Sequence, residues 1–123
     1  SKVLQAEDIF TAQKLVQEVY VDERIIDYII HIIFATRMPT QSNLKSIAPY
    51  ISYGVSPRAT LALLHAAKAH AFLHMRDYVI PDDVKIIAPA VLLHRLVLTY
   101  EAEADQIKPD MIIQKILNTI PSQ

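Results

Sequence analysis

The sequence predicts an all-α fold, a small bundle of about five helices that admits one minimal two-stranded pairing. The 123 residues contain a single glycine, and β-rich folds depend on glycine in their many tight turns. Apolar residues recur at helical spacing along most of the chain, and acidic residues, serine or proline stand where helices would begin. At this length the chain is expected to form one domain over residues 1–123.

The first two helices are predicted over residues 7–19 and 23–37. Glu7 and Asp8 favour a helix N-terminus through the helix dipole, and Asp22 is a good N-cap for the second helix. The second segment is rich in isoleucine, which is also common in strands, but its apolar residues follow the i, i+3, i+4, i+7 repeat of a helix. The residues of that repeat are Ile26, Ile29, Ile30 and Ile33.

Residues 38–55 form the longest predicted connection, which contains two prolines and a short turn near its centre. Ordered connections of this length are often functional. Ser56 and Pro57 then mark a helix start, because serine can cap a helix and proline at the first helical position loses no hydrogen bond. The third helix is predicted to run to Met75. It is apolar almost all round, which is typical of the central helix of a domain.

Two extended segments, residues 19–21 and 78–80, are candidates to pair with each other. Pro81 opens a fourth helix, with Asp82 and Asp83 placed favourably in its first turn. The helix dipole explains these adjacent carboxylates, so they do not require a catalytic role.

The C-terminal part of the chain carries two further helix signals. Pro89 removes one backbone hydrogen bond from the fourth helix and is expected to kink or split it. His94 and Arg95 suit the C-terminal turn of that helix. The acidic residues 101–105 are predicted to be a loop or a frayed end, and a last helix is predicted over 109–117.

Composition excludes several classes of function. A chain without cysteine has no disulfide scaffold, cysteine–zinc site or thiol nucleophile. A phosphate loop of the GxxxxGK(S/T) or GxGxxG type needs several glycines, so none lies within these residues. The net charge of −1 argues against a general nucleic-acid binder. An uninterrupted apolar run of about 18 residues and a recognisable signal peptide are both absent, so we expect no membrane span and a cytoplasmic location.

Charge is distributed unevenly along the chain. Residues 28–76 contain five bases and no acid, whereas each flank has a net charge of −3. Such a stretch indicates either an anionic ligand or partner, or ordinary pairing with the acidic flanks. The sequence leaves both interpretations open. The five bases are Arg37, Lys45, Arg58, Lys68 and Arg76.

Two histidines one helical turn apart, His70 and His74, could contribute to a metal site. A zincin would need glutamate after the first histidine, where this chain has Ala71, and no third ligand is evident nearby in sequence. We therefore predict no metal site. A serine enzyme is not supported either, because the GxSxG elbow is absent. The prediction is that this chain contains no catalytic residue.

The segment Gly54–Arg58 is the strongest functional signal in the sequence. Arg58 is a cation near the start of a helix, where the helix dipole makes it unfavourable by roughly 0.3–1 kcal/mol. Free backbone N–H groups and a guanidinium together form a potential anion site, above all for phosphate. The alternative is a solvated arginine with a small energetic penalty, and the pattern alone does not decide between them.

Several motifs agree in order and spacing with one known family. They are Ala35–Arg37, Tyr50–Ala59, an Ala/Leu-rich helix, Arg76–Lys85, His94–Arg95 and Tyr100–Ala104. Together they extend over nearly the whole chain, which resembles the C-terminal helical lid of MoxR-type AAA+ ATPases.

The resemblance implies a two-part ATPase, whose α/β core with the Walker A loop, the Walker B acid and the magnesium site lies outside this chain. ATP and Mg are then cofactors of the parent protein, and neither is expected to bind the isolated chain. Arg58 corresponds to the sensor-2 arginine of the family, which reaches the ATP phosphates. Ser56, Pro57 and Gly54 build the turn that presents it. The missing core is the main departure from the family pattern.

The resemblance also implies partners: the chain's own ATPase core, neighbouring subunits of a homo-oligomeric ring (a hexamer by family) and remodelling targets with von Willebrand factor A domains. The lid would sense ATP and couple its hydrolysis to chaperone-like remodelling. The roles of Thr36, Arg37, His94 and Arg95 stay open between helix-end capping and contact with a neighbouring subunit. The alternative function is a helical protein-interaction module without a nucleotide role. A helical DNA-binding domain is disfavoured by the net charge.

Overall fold

The computed structural model describes residues 6–122, and this part of the chain is mostly helical, as predicted. Its six α-helices and two strands are α1 (Ala6–Gln17), α2 (Glu23–Arg37), β1 (Ile51–Tyr53), α3 (Ala59–Leu73), α4 (Pro81–Leu92), β2 (Val97–Leu98), α5 (Tyr100–Ala104) and α6 (Pro109–Thr119). Three 3-10 turns connect them, at Pro39–Ser42, Ala48–Tyr50 and Leu93–Arg95. Residues 1–5 and 123 of the predicted domain lie outside the described part.

Helix α3 lies at the centre of the bundle, as its apolar sequence predicts, and packs against α1, α2 and most extensively α4. Its fully buried residues recur every four positions and form one stripe that is inclined to the helix axis. Three of the four are alanines, which allow the neighbouring helices to approach closely. They are Ala59, Leu63, Ala67 and Ala71. No helix within residues 6–122 is long and apolar enough to cross a membrane.

Helix α2 confirms the choice of helix over strand for the isoleucine-rich segment. The Asp22 side chain caps it by accepting a hydrogen bond from the Arg24 N–H at 2.9 Å. The buried face is rotated from the predicted repeat, because Ile30 is 47% exposed. The face that packs into the core contains Ile25, Tyr28, Ile29, Ile32 and Ile33.

The predicted pairing of residues 19–21 with 78–80 is present as a single parallel bridge between Tyr20 and Tyr78. The Tyr20 N–H donates to the Asp77 carbonyl at 2.8 Å, and the Val79 N–H donates to the Tyr20 carbonyl at 2.9 Å. The two-stranded sheet lies elsewhere. Strands β1 and β2 pair antiparallel; β1 lies in the predicted connection 38–55, and β2 follows the fourth helix, where no element was predicted.

In the C-terminal part, the loop predicted over residues 101–105 was wrong, and so was a split of the fourth helix at Pro89. Residues 101–105 are not a loop, because α5 covers most of them and Thr99 caps it by accepting from the Ala102 N–H at 3.3 Å. Pro89 does not split α4, which continues to Leu92. The proline lies in the last turn of that helix, so it removes one hydrogen bond at a place where few further hydrogen bonds of the helix remain to be formed.

Helix α1 confirms the first predicted helix but has no buried residue. Its apolar side chains Ile9, Phe10 and Leu15 are all exposed, and Phe10 is 70% exposed. The chain becomes buried only after the helix, at Val19. In residues 6–122, α1 is therefore the helix that is held least by the core.

Candidate functional site

The start of α3 combines a 3-10 turn with a serine cap. The Ser56 hydroxyl accepts a hydrogen bond from the Arg58 N–H at 3.3 Å, as its predicted capping role requires. The sequence predicted that the helix begins at Pro57. Regular α-helix begins two residues later, at Ala59, because the preceding turn has the i→i+3 hydrogen bonds of a 3-10 turn. Arg58 already has helical backbone angles, with φ −61° and ψ −24°. The turn therefore fixes the direction in which the Arg58 side chain leaves the backbone.

The backbone N–H groups of this turn are occupied, which corrects part of the anion-site argument. The N–H of Ala59 donates to the Ser56 carbonyl at 2.9 Å, and that of Thr60 donates to the Pro57 carbonyl at 3.0 Å. The Leu61 N–H similarly reaches the Arg58 carbonyl at 3.2 Å. These groups are not free for a phosphate, so any anion site here depends on the guanidinium charge.

The Arg58 side chain is exposed and forms no hydrogen bond or ion pair with another residue of the described range 6–122. An arginine is unfavourable at the positive end of a helix dipole, and here no carboxylate of the described residues compensates for it. The guanidinium presents five N–H donors in a planar fork, the geometry that binds phosphate oxygens in pairs. The arrangement can therefore bind an anion without first breaking an internal contact.

Residue Val55, immediately before this turn, is fully buried and bonded to the end of α2 through both of its backbone polar groups. Its N–H donates to the Thr36 hydroxyl at 2.9 Å. Its carbonyl accepts a hydrogen bond from the Arg37 guanidinium at 3.3 Å. The sequence left the roles of Thr36 and Arg37 open. In the structure both hold the segment that leads into α3.

Gly54 leads into this turn and lies directly against the end of α2. Glycine often permits a tight turn by adopting a positive φ, but the φ of Gly54 is not positive. A Cβ atom at this position would lie 2.5 Å from the Thr36 carbonyl oxygen and 2.7 Å from the Arg37 Cα. Glycine is required because the backbone passes against the end of α2 with no room for a side chain.

A second cluster lies beyond the other end of α3 and centres on Asp83, which is 0% exposed. The Arg76 guanidinium donates to both carboxylate oxygens, at 2.6 and 2.7 Å. The Ile80 N–H donates at 2.8 Å and His70 Nδ1 lies 2.6 Å from the carboxylate. Burial alone would raise the pKa of Asp83, but the hydrogen bonds from Arg76, Ile80 and His70 lower it from 3.8 to about 2. The same pairing raises the pKa of Arg76.

This cluster corrects the interpretation of Asp83 as a dipole-only residue. Its carboxylate accepts four hydrogen bonds, which no consideration of the helix dipole predicts. The partners Arg76 and His70 are seven and thirteen residues away. A local signal existed in the third helical position of Asp83, from which a carboxylate can reach back to the N–H at the helix start.

His70, near the end of α3, stacks on His74, which directly follows the helix, with ring centroids 4.2 Å apart. An ionised carboxylate and a carbonyl only accept, so Nδ1 of each ring carries a hydrogen, donated by His70 to Asp83 and by His74 to the His70 carbonyl at 2.9 Å. Residues 6–122 contain no group of three potential ligands that could hold a metal ion. The pair is therefore explained by the hydrogen bonds of the cluster.

The remaining sequence candidates lie at the end of α4. The Arg95 side chain donates from Nε to the Val91 carbonyl at 3.0 Å, which satisfies a helix-end acceptor. His94 is exposed beside it. Capping, one of the two roles left open for Arg95, is thus present within the chain.

Comparison with known proteins defines the class to which this chain belongs. Residues 44–116 match the family described as the AAA lid domain. The match covers more than half of the chain, so the chain belongs to the AAA lid domain family. The match begins at Leu44, in the connection after α2, and ends at Ile116, within α6.

Its relatives include MoxR proteins. The chain is 40% identical over 119 residues to Chaperone MoxR1 of Mycobacterium tuberculosis, covering 97% of this chain and 32% of that protein. It is 40% identical over 118 residues to YeaC of Bacillus subtilis, covering 96% and 34% respectively. Protein MoxR of Methylorubrum extorquens is 30% identical over 127 residues, covering 98% and 37%. The chain thus spans about a third of the length of these relatives.

A solved structure agrees with this assignment. A crystal structure from Cytophaga hutchinsonii, provisionally described as an ATPase, superposes with a TM-score of 0.91 at 42% sequence identity. The match covers 94% of this chain and 35% of that chain. The fold and the family therefore agree: this is an AAA lid domain of the MoxR type.

Proposed function

We propose that Arg58 is a sensor-2 arginine that contacts the terminal phosphate of ATP bound to the rest of the parent ATPase. The observation that carries the proposal is an exposed arginine on a capped and anchored turn, with no partner among residues 6–122. Its guanidinium suits a phosphate, whose oxygens accept paired hydrogen bonds. Ser56, Pro57 and Gly54 serve the site by shaping the turn.

The proposed mechanism is a difference in contact between the ATP and ADP states. Arg58 would bind the terminal phosphate when ATP is present and lose that contact after hydrolysis. A ligand shifts a conformational equilibrium only through differential binding, and a contact made in one nucleotide state supplies that difference. Lid rotation relative to the core would then pass the change to the next subunit. ATP and Mg would be held by the core, and the lid would add one cation.

The proposal extends to the whole parent protein. Residues 1–123 would form one lid domain, and the ATPase core would occupy much of the remaining two thirds of a protein as long as its relatives. By resemblance, the parent would act in the cytoplasm as a homo-oligomeric ring, a hexamer, and remodel targets with von Willebrand factor A domains. The name of the M. tuberculosis relative, a chaperone, supports a remodelling function.

The direct test is Arg58→Ala in the intact parent ATPase. We expect turnover to fall at least tenfold, or the discrimination between ATP and ADP to be lost, because one phosphate contact is removed. Lys45→Ala is the matched control, since it removes another exposed cation of the same acid-free stretch. Steady-state ATPase assays and competition with ADP provide the measurement. Unchanged kinetics in Arg58→Ala would exclude the sensor-2 role and leave the protein-interaction module as the better function.

A further inference from the structure

We infer that Thr36 and Arg37 are positioning residues for Arg58, so that the end of α2 fixes the location of the phosphate-sensing guanidinium. This inference rests on the proposed function of Arg58. The two side chains bind opposite sides of one peptide segment, the N–H and the carbonyl of Val55. Val55 directly precedes Ser56, whose hydroxyl caps the Arg58 turn.

Thr36 is the stronger of the two contacts. It is 1% exposed, and its hydroxyl is used twice: it donates to the Ile33 carbonyl at 2.7 Å and accepts from the Val55 N–H at 2.9 Å. The end of α2 does not need this second bond, because the Met38 N–H closes the last turn by donating to the Phe34 carbonyl at 2.8 Å. The bond to Val55 therefore serves the incoming chain and not the helix end.

The contact is also fixed sterically. Gly54 passes so close to the backbone of Thr36 and Arg37 that a Cβ atom could not be inserted. The side-chain hydrogen bonds and the close backbone approach act on the adjacent residues 54 and 55. The base of the Arg58 turn can thus neither slide along nor lift away from the end of α2 without breaking several contacts of different kinds. A reacting geometry is sensitive to displacements of about 1 Å, so this anchorage matters for phosphate sensing.

The test is a double-mutant cycle in the intact parent ATPase. Thr36→Val keeps the shape of the side chain and removes both hydrogen bonds, and Thr36→Ser retains the hydroxyl. We expect Thr36→Val to lower kcat about tenfold with little change in KM, and Thr36→Ser to restore most of the loss. Thr40→Val, at an exposed threonine of the following turn, is the matched control and should leave kcat unchanged.

The decisive measurement is Thr36→Val in an Arg58→Ala background. If Thr36 acts through Arg58, the second substitution has no further effect on kcat, because the group it positions is already absent. An undiminished tenfold loss in that background would overturn the inference while the sensor-2 role of Arg58 stands. If Arg58→Ala alone has no effect on kcat, it is the proposed sensor-2 function of Arg58 that is excluded.

Arg37→Met replaces Thr36→Val in this test if Thr36→Val does not fold. It keeps an unbranched side chain at an exposed site. We expect Arg37→Met to lower kcat about two- to threefold, because it removes one weak hydrogen bond. This loss of kcat should be absent in the Arg58→Ala background.

Discussion

The two ends of α3 carry arginines in opposite states. At the N-terminal end Arg58 is exposed and has no partner within residues 6–122, although the turn beneath it is anchored. Beyond the C-terminal end Arg76 is bonded to the fully buried Asp83, which also accepts from His70. Both arginines belong to the acid-free stretch 28–76, for which the sequence allowed pairing with the flanks or an anionic ligand. Arg76 follows the first interpretation and Arg58 is available for the second.

Burial of the partner distinguishes a structural arginine, Arg76, from Arg58, which is available to a ligand. A charge that is paired with a buried carboxylate is costly to disturb, because removing one partner leaves the other buried without its ion pair. A charge that has no internal partner, and whose position is set by its backbone alone, adds little to stability. It can bind a ligand and release it again. Substitutions around Arg76 should therefore change mainly the free energy of unfolding, whereas substitution of Arg58 should leave it nearly unchanged.

The largest effect on stability is expected for Asp83→Ala. This substitution leaves Arg76, His70 and the Ile80 N–H without their shared acceptor, so the free energy of unfolding should fall by about 3 kcal/mol or more. Urea unfolding followed by circular dichroism measures this change. Asp82→Ala, at the exposed neighbouring carboxylate, should cost less than about 1 kcal/mol. Equal losses for the two variants would show that the Asp83 cluster is not a stabilising unit.

A smaller effect is expected from acid. The pKa of Asp83 is lowered to about 2 in the folded chain, against 3.8 for an ordinary aspartate. Because the folded value is the lower one, the unfolded chain binds the proton first. The contribution of about 2 kcal/mol is present above pH 4 and is lost as the pH falls towards 2. The measurement is urea unfolding between pH 5 and pH 2.

The control for the acid prediction is Asp83→Asn, which should flatten the dependence of stability on pH in this window. Asp22 retains some dependence in that variant, since the Arg24 N–H lowers the pKa of this capping carboxylate too. If the slopes of the two proteins were identical between pH 4 and pH 2, the stabilised carboxylate would have to lie elsewhere.

The smallest effect on stability is expected for Arg58→Ala. The side chain has no partner within the described residues and opposes the helix dipole, so its removal should change the free energy of unfolding by less than about 0.5 kcal/mol, in the stabilising direction. Arg76→Ala is the matched variant at the other end of α3. It should cost about 3 kcal/mol, because it leaves the Asp83 carboxylate buried without its ion pair. A loss of 2 kcal/mol or more in Arg58→Ala would remove the contrast between the two ends.

The sequence predicted the helices well because their signals are local. The N-cap Asp22, the Ser56 cap and the proline at position 81 each act within one turn of their own position. A minimal two-stranded pairing was predicted, but the position of the sheet was missed, since strands of three and two residues are too short to show a periodic pattern. Helix α5 was missed because its five residues are too few to show the apolar repeat of a helix, although Thr99 caps it.

In the candidate site, too, the features with local signals could be predicted and those that depend on distant residues could not. The place of Arg58 at a helix start could be predicted because Ser56 and Pro57, which mark that start, lie within two residues of it. The anchorage could not, because Thr36 and Val55 are 19 residues apart and only the fold brings them together. Asp83 was likewise assigned from its own helix, whereas its main partners come from the end of α3 and the turn beyond it.

The close fit of Gly54 against α2 has a mechanical consequence. The turn that carries Arg58 is bonded to the end of α2 and continues into α3. It therefore moves together with the helical bundle and not as an independent flexible loop. Under the proposed function, a few degrees of lid rotation would set the distance between the guanidinium and a phosphate, and this distance would change with domain motion, on the order of microseconds to milliseconds. The single glycine of the chain would then tie the rate of nucleotide sensing to the motion of the whole lid.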